Sequence, residues 1–320
     1  MKKLYFFVHI PKTAGTSFRL KLQENESVRM LYDYGVSSEE TSEEILSIDP
    51  KLLTDKNKMF YSDKINFICG HVSYGKYAHC VNDQAVISVV RNPIERLISE
   101  FQHLKRHAGY EKSFVEFVSS DSQQNKQSKM LRGMMKDGGG MIGLTSHYRY
   151  FLEVFSEKSG LSVKEVSVNR APESDSKDRF TIPAKEIKSA YQLNDKDIKF
   201  FMRKAQAFSK AVHNVGYNIV PPKNTKWSTR IDARNRLVGW VSCAENDCYF
   251  MTVSVNNEPR VVISLDQNRA DIFEKDLSEN PVCGFSYSLS LLGVEKGDVI
   301  SVGFLGDSGL AKELIMESDI

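Results

Sequence analysis

The order of apolar and polar positions divides the first hundred residues into strands and helices. Leu4 to Ile10 is an apolar run stopped by Pro11 and followed by small residues, the form of a buried strand that breaks into a tight loop. Phe18, Leu20 and Leu22 then arrive among the helix formers Arg19, Lys21 and Gln23, which predicts a helix whose first turn Thr16 or Ser17 can cap. A polar, acidic segment, 37–49, precedes the apolar 66–72, read as a short core strand ending at Gly70-His71. Residues 85–90 (AVISVV) are continuously apolar, as in a parallel strand covered on both faces. Asn92-Pro93 opens a further helix with asparagine as cap and proline in its first position. Ile94, Leu97, Ile98, Phe101 and Leu104 recur along it at helical spacing, so one face is expected to pack on the sheet. Strands alternating with helices predict an α/β layer architecture with a parallel sheet.

Downstream the pattern changes twice. Residues 105–147 are more polar and run into Gly138-Gly139-Gly140, which reads equally as a substrate-gating loop or as an unstructured stretch. Helical segments at 148–157 and 195–213, with a charged loop at 171–179 between them, complete the first domain. Beyond Val220-Pro221-Pro222 the sequence becomes strand-like. Residues 249–255 alternate, Asn256-Asn257 makes a turn, 260–265 returns and 299–305 forms another strand. Gly239, Gly284 and Gly297-Asp298 are read as further turns. The expected organisation is therefore an α/β domain at 1–220 and a small all-β domain at 224–320.

Composition narrows the function. A chain of 320 residues is long enough for a large and a small domain, and a formal charge of +2 is too low for general nucleic-acid affinity. Between Arg91 and Lys136 nine Lys/Arg stand against five Asp/Glu, which fits either a solvated helix face or an anionic ligand. No run is long enough to span a membrane, and Leu4 to Ile10 leads directly into the loop. The five cysteines are scattered and form no CxxC pair, so reduced thiols in a cytoplasmic protein are expected and a zinc site is not.

The loop after the first strand carries the candidate chemistry. Gly15 permits a close approach, Thr13, Thr16 and Ser17 surround it with hydroxyls, and Lys12 brings a full positive charge beside a helix N-terminus. That is a cradle for phosphate or sulfate, with a ligand-free strand-to-helix turn as the plainer alternative. A nucleoside-triphosphate loop places its lysine after the second glycine. Here the lysine precedes the only glycine, which argues against a kinase of that type. Lys12, His71 and Arg91 each lie just past the end of a predicted strand, where open α/β sheets bind ligands.

Read together, HIPKTAGTSF (His9 to Phe18) and VVRNPIERLISEF (Val89 to Phe101) resemble the two nucleotide-binding motifs of sulfotransferases that use 3′-phosphoadenosine 5′-phosphosulfate, PAPS. GHVSY (Gly70 to Tyr74) is similar to the Gly-His segment of the heparan sulfate 2-O-sulfotransferase branch. The resemblance implies a P-loop-like parallel sheet flanked by helices. It also implies that Lys12 and the backbone of Thr13, Ala14, Gly15, Thr16 and Ser17 hold the 5′-phosphosulfate, that Arg91 and Ser99 grip the 3′-phosphate, and that His71 is the catalytic base. GLTSHYRYFLEVF (Gly143 to Phe155) resembles a later segment in which an acid commonly stands where this chain has Ser146-His147. NKQSKMLRG (Asn125 to Gly133) is similar to a segment on the substrate side. VGWVSC, RADIF and CGFSYSL resemble small β-sandwich domains appended to bacterial surface-polysaccharide transferases, for which scaffolding or homo-oligomer formation is expected first.

The resemblance implies sulfuryl transfer from PAPS to a sugar hydroxyl, leaving adenosine 3′,5′-bisphosphate (PAP), without a metal. Lys105, Arg106, Arg132 and Lys136 would suit a partly anionic glycan acceptor. No membrane anchor fits before Leu4, so a bacterial cytoplasmic enzyme acting on a surface-glycan precursor is expected. A small-molecule, lipid or peptide acceptor, and a non-catalytic glycan-binding protein, are the competing readings.

Overall fold

The computed structural model describes residues 4–53, 63–134, 139–163, 182–306 and 309–318. In chain order the first half comprises β1 (Leu4–Val8), α1 (Gly15–Gln23), β2 (Val28–Asp33), α2 (Glu43–Leu46), β3 (Ile65–Gly70), β4 (Val86–Val90), α3 (Pro93–His107), α4 (Phe114–Ser119), α5 (Lys126–Met130), β5 (Met141–Leu144) and α6 (Tyr148–Ser159). The second half comprises α7 (Ala184–Leu193), α8 (Asp195–Asn214), β6 (Trp227–Ile231), β7 (Arg236–Val241), β8 (Met251–Val255), β9 (Glu258–Ile263), β10 (Gln267–Asn268), α9 (Ala270–Phe273), β11 (Val282–Ser288), β12 (Val299–Phe304) and β13 (Ala311–Ile315). Two compact units result, one of residues 1–91 with 125–176, the other of 92–124 with 177–320.

The first unit is built on a five-stranded sheet in the order β2-β3-β1-β4-β5, with all four pairings parallel. β1, β3 and β4 are buried almost throughout because a parallel strand inside such a sheet is covered on both faces. At the edge, β2 buries Val28, Leu31 and Asp33 and leaves the others half-covered. Phe18 locks α1 in place: it is fully buried and meets the rings of Phe7, Phe151 and Phe155, each at 5.0 Å. Leu22, four residues on, is buried with it, whereas Leu20 points to the other side of the helix and is exposed.

The second unit holds two four-stranded antiparallel sheets, β10-β11-β7-β6 and β13-β12-β8-β9. Leu237, Val241 and Phe285 from one sheet share a core with Met251, Val253, Ile300 and Val302 from the other, which makes a sandwich. Gly239 and Gly284 lie inside β7 and β11 and not in turns. A Cβ at Gly239 would stand 2.1 Å from the Ser228 carbonyl oxygen and 2.5 Å from Phe285 Cζ, so the glycine serves close packing.

α3 begins as its sequence predicts, with the Asn92 side chain accepting from the N–H groups of Ile94 and Glu95 and Pro93 at its first turn. Its apolar face finds different partners from those expected. Ile94, Leu97 and Phe101 cluster with Phe114 and Phe117 of α4 and with Ile187 and Tyr191 of α7. Helical periodicity identifies a buried face and does not say what covers it.

Candidate anion site

The loop after β1 turns through two left-handed residues, Lys12 at φ 66° and Ala14 at φ 65°. Non-glycine side chains in this region cost about 1–2 kcal/mol each and persist where the surroundings enforce them. Thr13 supplies part of that enforcement, since its buried hydroxyl donates to the Ile10 carbonyl at 2.9 Å. Ala14 is the N-cap of α1 and no side chain caps the helix. The helix thus starts at Gly15, ahead of the Thr16 or Ser17 cap expected from the sequence. Amide groups of an uncapped first turn point out of the helix, and the helix dipole favours an anion there.

Gly15 is required by His9. A Cβ on Gly15 would fall 2.1 Å from His9 Cδ2 and 2.5 Å from its Nε2. The imidazole is buried and stacks on Phe7 at 5.4 Å. Its Nδ1 meets the Tyr34 hydroxyl at 3.0 Å. Arg19 Nη1 donates to the same hydroxyl oxygen at 3.2 Å and to Glu40 at 2.8 Å, so the Tyr34 proton is available to His9. Burial above all, then the neighbouring His71 and Arg19 charges, lower the His9 pKa from 6.5 to about 3. Burial likewise raises the Cys69 thiol to about 12, and it sits 3.7 Å from the Tyr34 hydroxyl.

The His9 shift has a stability consequence with a definite sign. Below pH 6.5 the unfolded chain takes up a proton at this histidine that the folded chain refuses until about pH 3. Stability therefore falls as pH drops, by up to about 1.4 kcal/mol per pH unit. Between pH 7 and pH 5 the wild type should lose about 2 kcal/mol more than His9→Gln in urea unfolding. Parallel pH profiles for the two proteins would contradict a buried, neutral His9.

His71 directly follows β3 and is exposed. Its ring stands edge-to-face against His9 at 4.5 Å and against Tyr34 at 4.8 Å. Past β4, Arg91 Nη1 reaches the Lys12 carbonyl oxygen at 3.5 Å. Past β5, Thr145 Oγ1 lies 3.2 Å from both the Thr13 and the Val90 carbonyl oxygens. The loops after β1, β4 and β5 are therefore tied together, and the His9 ring joins the loop after β3 to them. Three sequence-predicted groups, Lys12, His71 and Arg91, come to the carboxyl end of one sheet.

The remaining expected residues fall in both units or outside the described residues. Ser99 is half-buried on α3, in the second unit. Lys105 and Arg106 lie near the end of that helix, with the Lys105 ammonium 5.2 Å from the centre of the Phe101 ring. Arg132 is exposed in the turn after α5, in the first unit, and Lys136 lies outside the described residues, as do Gly138 and the charged loop 171–179. Sequence reasoning missed His9, taken for a strand residue, and Tyr34, which follows an unrecognised strand. Glycine six residues after a histidine was the available signal for the first. Among the described residues no helix is long and apolar enough to cross a membrane.

Residues 2–159, just under half of the chain, match the model of the Sulfotransferase family. Two solved structures are also similar to this chain. Mouse sulfotransferase SULT7A1, complexed with PAP, is 12% identical over 52% of this chain at a TM-score of 0.35, and only 61% of the mouse chain is spanned. A sulfotransferase from Alicyclobacillus acidocaldarius is 13% identical over 67% of this chain and 97% of its own, at a TM-score of 0.34. No curated protein matches.

Proposed function

We propose that the chain transfers the sulfuryl group of PAPS to a hydroxyl of a glycan. The observation that carries this reading is the strained, side-chain-uncapped start of α1 beside Lys12, at the same carboxyl end of the sheet as His71 and Arg91. Such a turn fits a sulfate or phosphate without a metal ion between them, because backbone amides and a lysine already supply positive charge. In sulfuryl transfer the acceptor oxygen bonds to sulfur as the bond from sulfur to the bridging oxygen breaks, and PAP leaves with that electron pair. Lys12 and the amides of Thr13 to Ser17 would stabilise the charge growing on the bridging oxygen. His71 would take the proton of the attacking hydroxyl, and its exposure leaves it open to a large acceptor. From its motif, Arg91 would bind the 3′-phosphate that distinguishes PAPS from ATP.

The glycan acceptor rests on GHVSY and on the basic residues Lys105, Arg106 and Arg132. The same reading makes 1–220 the transferase part of a cytoplasmic bacterial enzyme and 224–320 an accessory scaffold or oligomer-forming part. Radiolabelled PAPS offered with polysaccharides, oligosaccharides and small hydroxyl compounds tests the assignment. Label is expected in a saccharide fraction, and transfer only to a small alcohol, lipid or peptide would overturn the glycan acceptor. His71→Ala should lower turnover by about a hundredfold or more while leaving PAP affinity unchanged. A variant with the wild-type rate would remove His71 from the base role.

A further inference from the structure

Gln127 spends both ends of a buried amide on the backbone of one residue. It is fully buried on α5, its Oε1 accepts from the Arg91 N–H at 3.0 Å, and its Nε2 donates to the Arg91 carbonyl at 2.8 Å. This is the pair of bonds that a neighbouring strand exchanges with one residue in a ladder. The ladder between β4 and β5 ends at Val90, paired with Leu144, so Gln127 continues the pairing one residue further. Thr145 Oγ1 holds the Val90 carbonyl immediately before it. Arg91 is thereby fixed on both sides of its Cα while its side chain stays half-exposed. A buried amide is costly unless it is bonded, and an apolar side chain would be the cheaper filling.

We propose that Gln127 is the positioning residue that aims the Arg91 guanidinium at the 3′-phosphate of the donor. The inference rests on the PAPS reading above and deepens it. It assigns the Asn125 to Gly133 segment to the donor side, whereas its sequence resemblance implies the substrate side. Gln127 touches no ligand in this account. Its effect runs through the Arg91 backbone and appears as selectivity between a nucleotide that has a 3′-phosphate and one that lacks it.

The test measures the dissociation constants of PAP and of 5′-AMP by titration calorimetry for wild type, Gln127→Met and Gln127→Glu. Methionine keeps the length and removes both bonds, while glutamate keeps an acceptor for the Arg91 N–H and loses the donor, so a second variant stands if one fails to fold. The wild type is expected to prefer PAP, and either variant to lose about tenfold of that preference with AMP affinity unchanged, the size of one well-aimed bond to a charged group. In an Arg91→Ala background Gln127→Met should cause no further loss of preference. A lowered melting temperature with the preference intact would make Gln127 merely structural and overturn the proposal. A wild type that does not prefer PAP over AMP would instead overturn the donor assignment, and this inference with it.

Discussion

Lys12→Ala is expected to reduce sulfuryl transfer by about a hundred- to a thousandfold, the usual cost of deleting one preorganised group aimed at developing negative charge. The backbone supports reading that loss as chemistry and not as misfolding. Lys12 sits at φ 66°, and alanine meets the same left-handed penalty as lysine, so the substitution adds no strain at that position. Initial rates with radiolabelled PAPS, beside a melting curve, separate the two. A variant that melts like the wild type and keeps its rate within a few-fold would show that the lysine does not face the leaving oxygen.

Gly15→Ala should be nearly as damaging, for a steric reason. The new methyl would overlap the His9 ring, which is held by Phe7 against one face and by Tyr34 and His71 at its edges. Either the imidazole or the first turn of α1 must move. Overpacking of this kind costs about 1–3 kcal/mol, and the displaced turn is the one proposed to hold the anion. Urea unfolding and PAP titration should both register the change. Full stability with full PAP affinity would mean that the ring and the loop are not coupled.

How much of this was legible in the sequence depended on how each segment is buried. β1, β3 and β4 are continuous apolar runs because both their faces are covered, and Asn92-Pro93 signalled the start of α3 through cap chemistry. β2 escaped because an edge strand mixes Val28 and Leu31 with Arg29 and Asp33, and the aromatic Tyr34 next to His71 was lost with it. The start of α1 was misplaced because caps are normally hydroxyl or amide side chains, and here Ala14 occupies that position in a left-handed conformation. Lys12, His71 and Arg91 were readable as strand-end residues, since a parallel sheet brings such ends to one side. Gln127 was not, because its partners are the backbone atoms of a residue 36 positions away.

The carboxyl end of this sheet is expected to bind a nucleotide carrying both 5′- and 3′-phosphates. The most direct measurement is a thermal-shift titration with PAP beside AMP, ADP and ATP with magnesium. At about 100 times its dissociation constant PAP should add roughly 2.7 kcal/mol of stability and raise the midpoint by several degrees, with smaller shifts for the other nucleotides. A larger shift from ATP with magnesium, or no shift from any nucleotide, would show that this loop is not a PAP site.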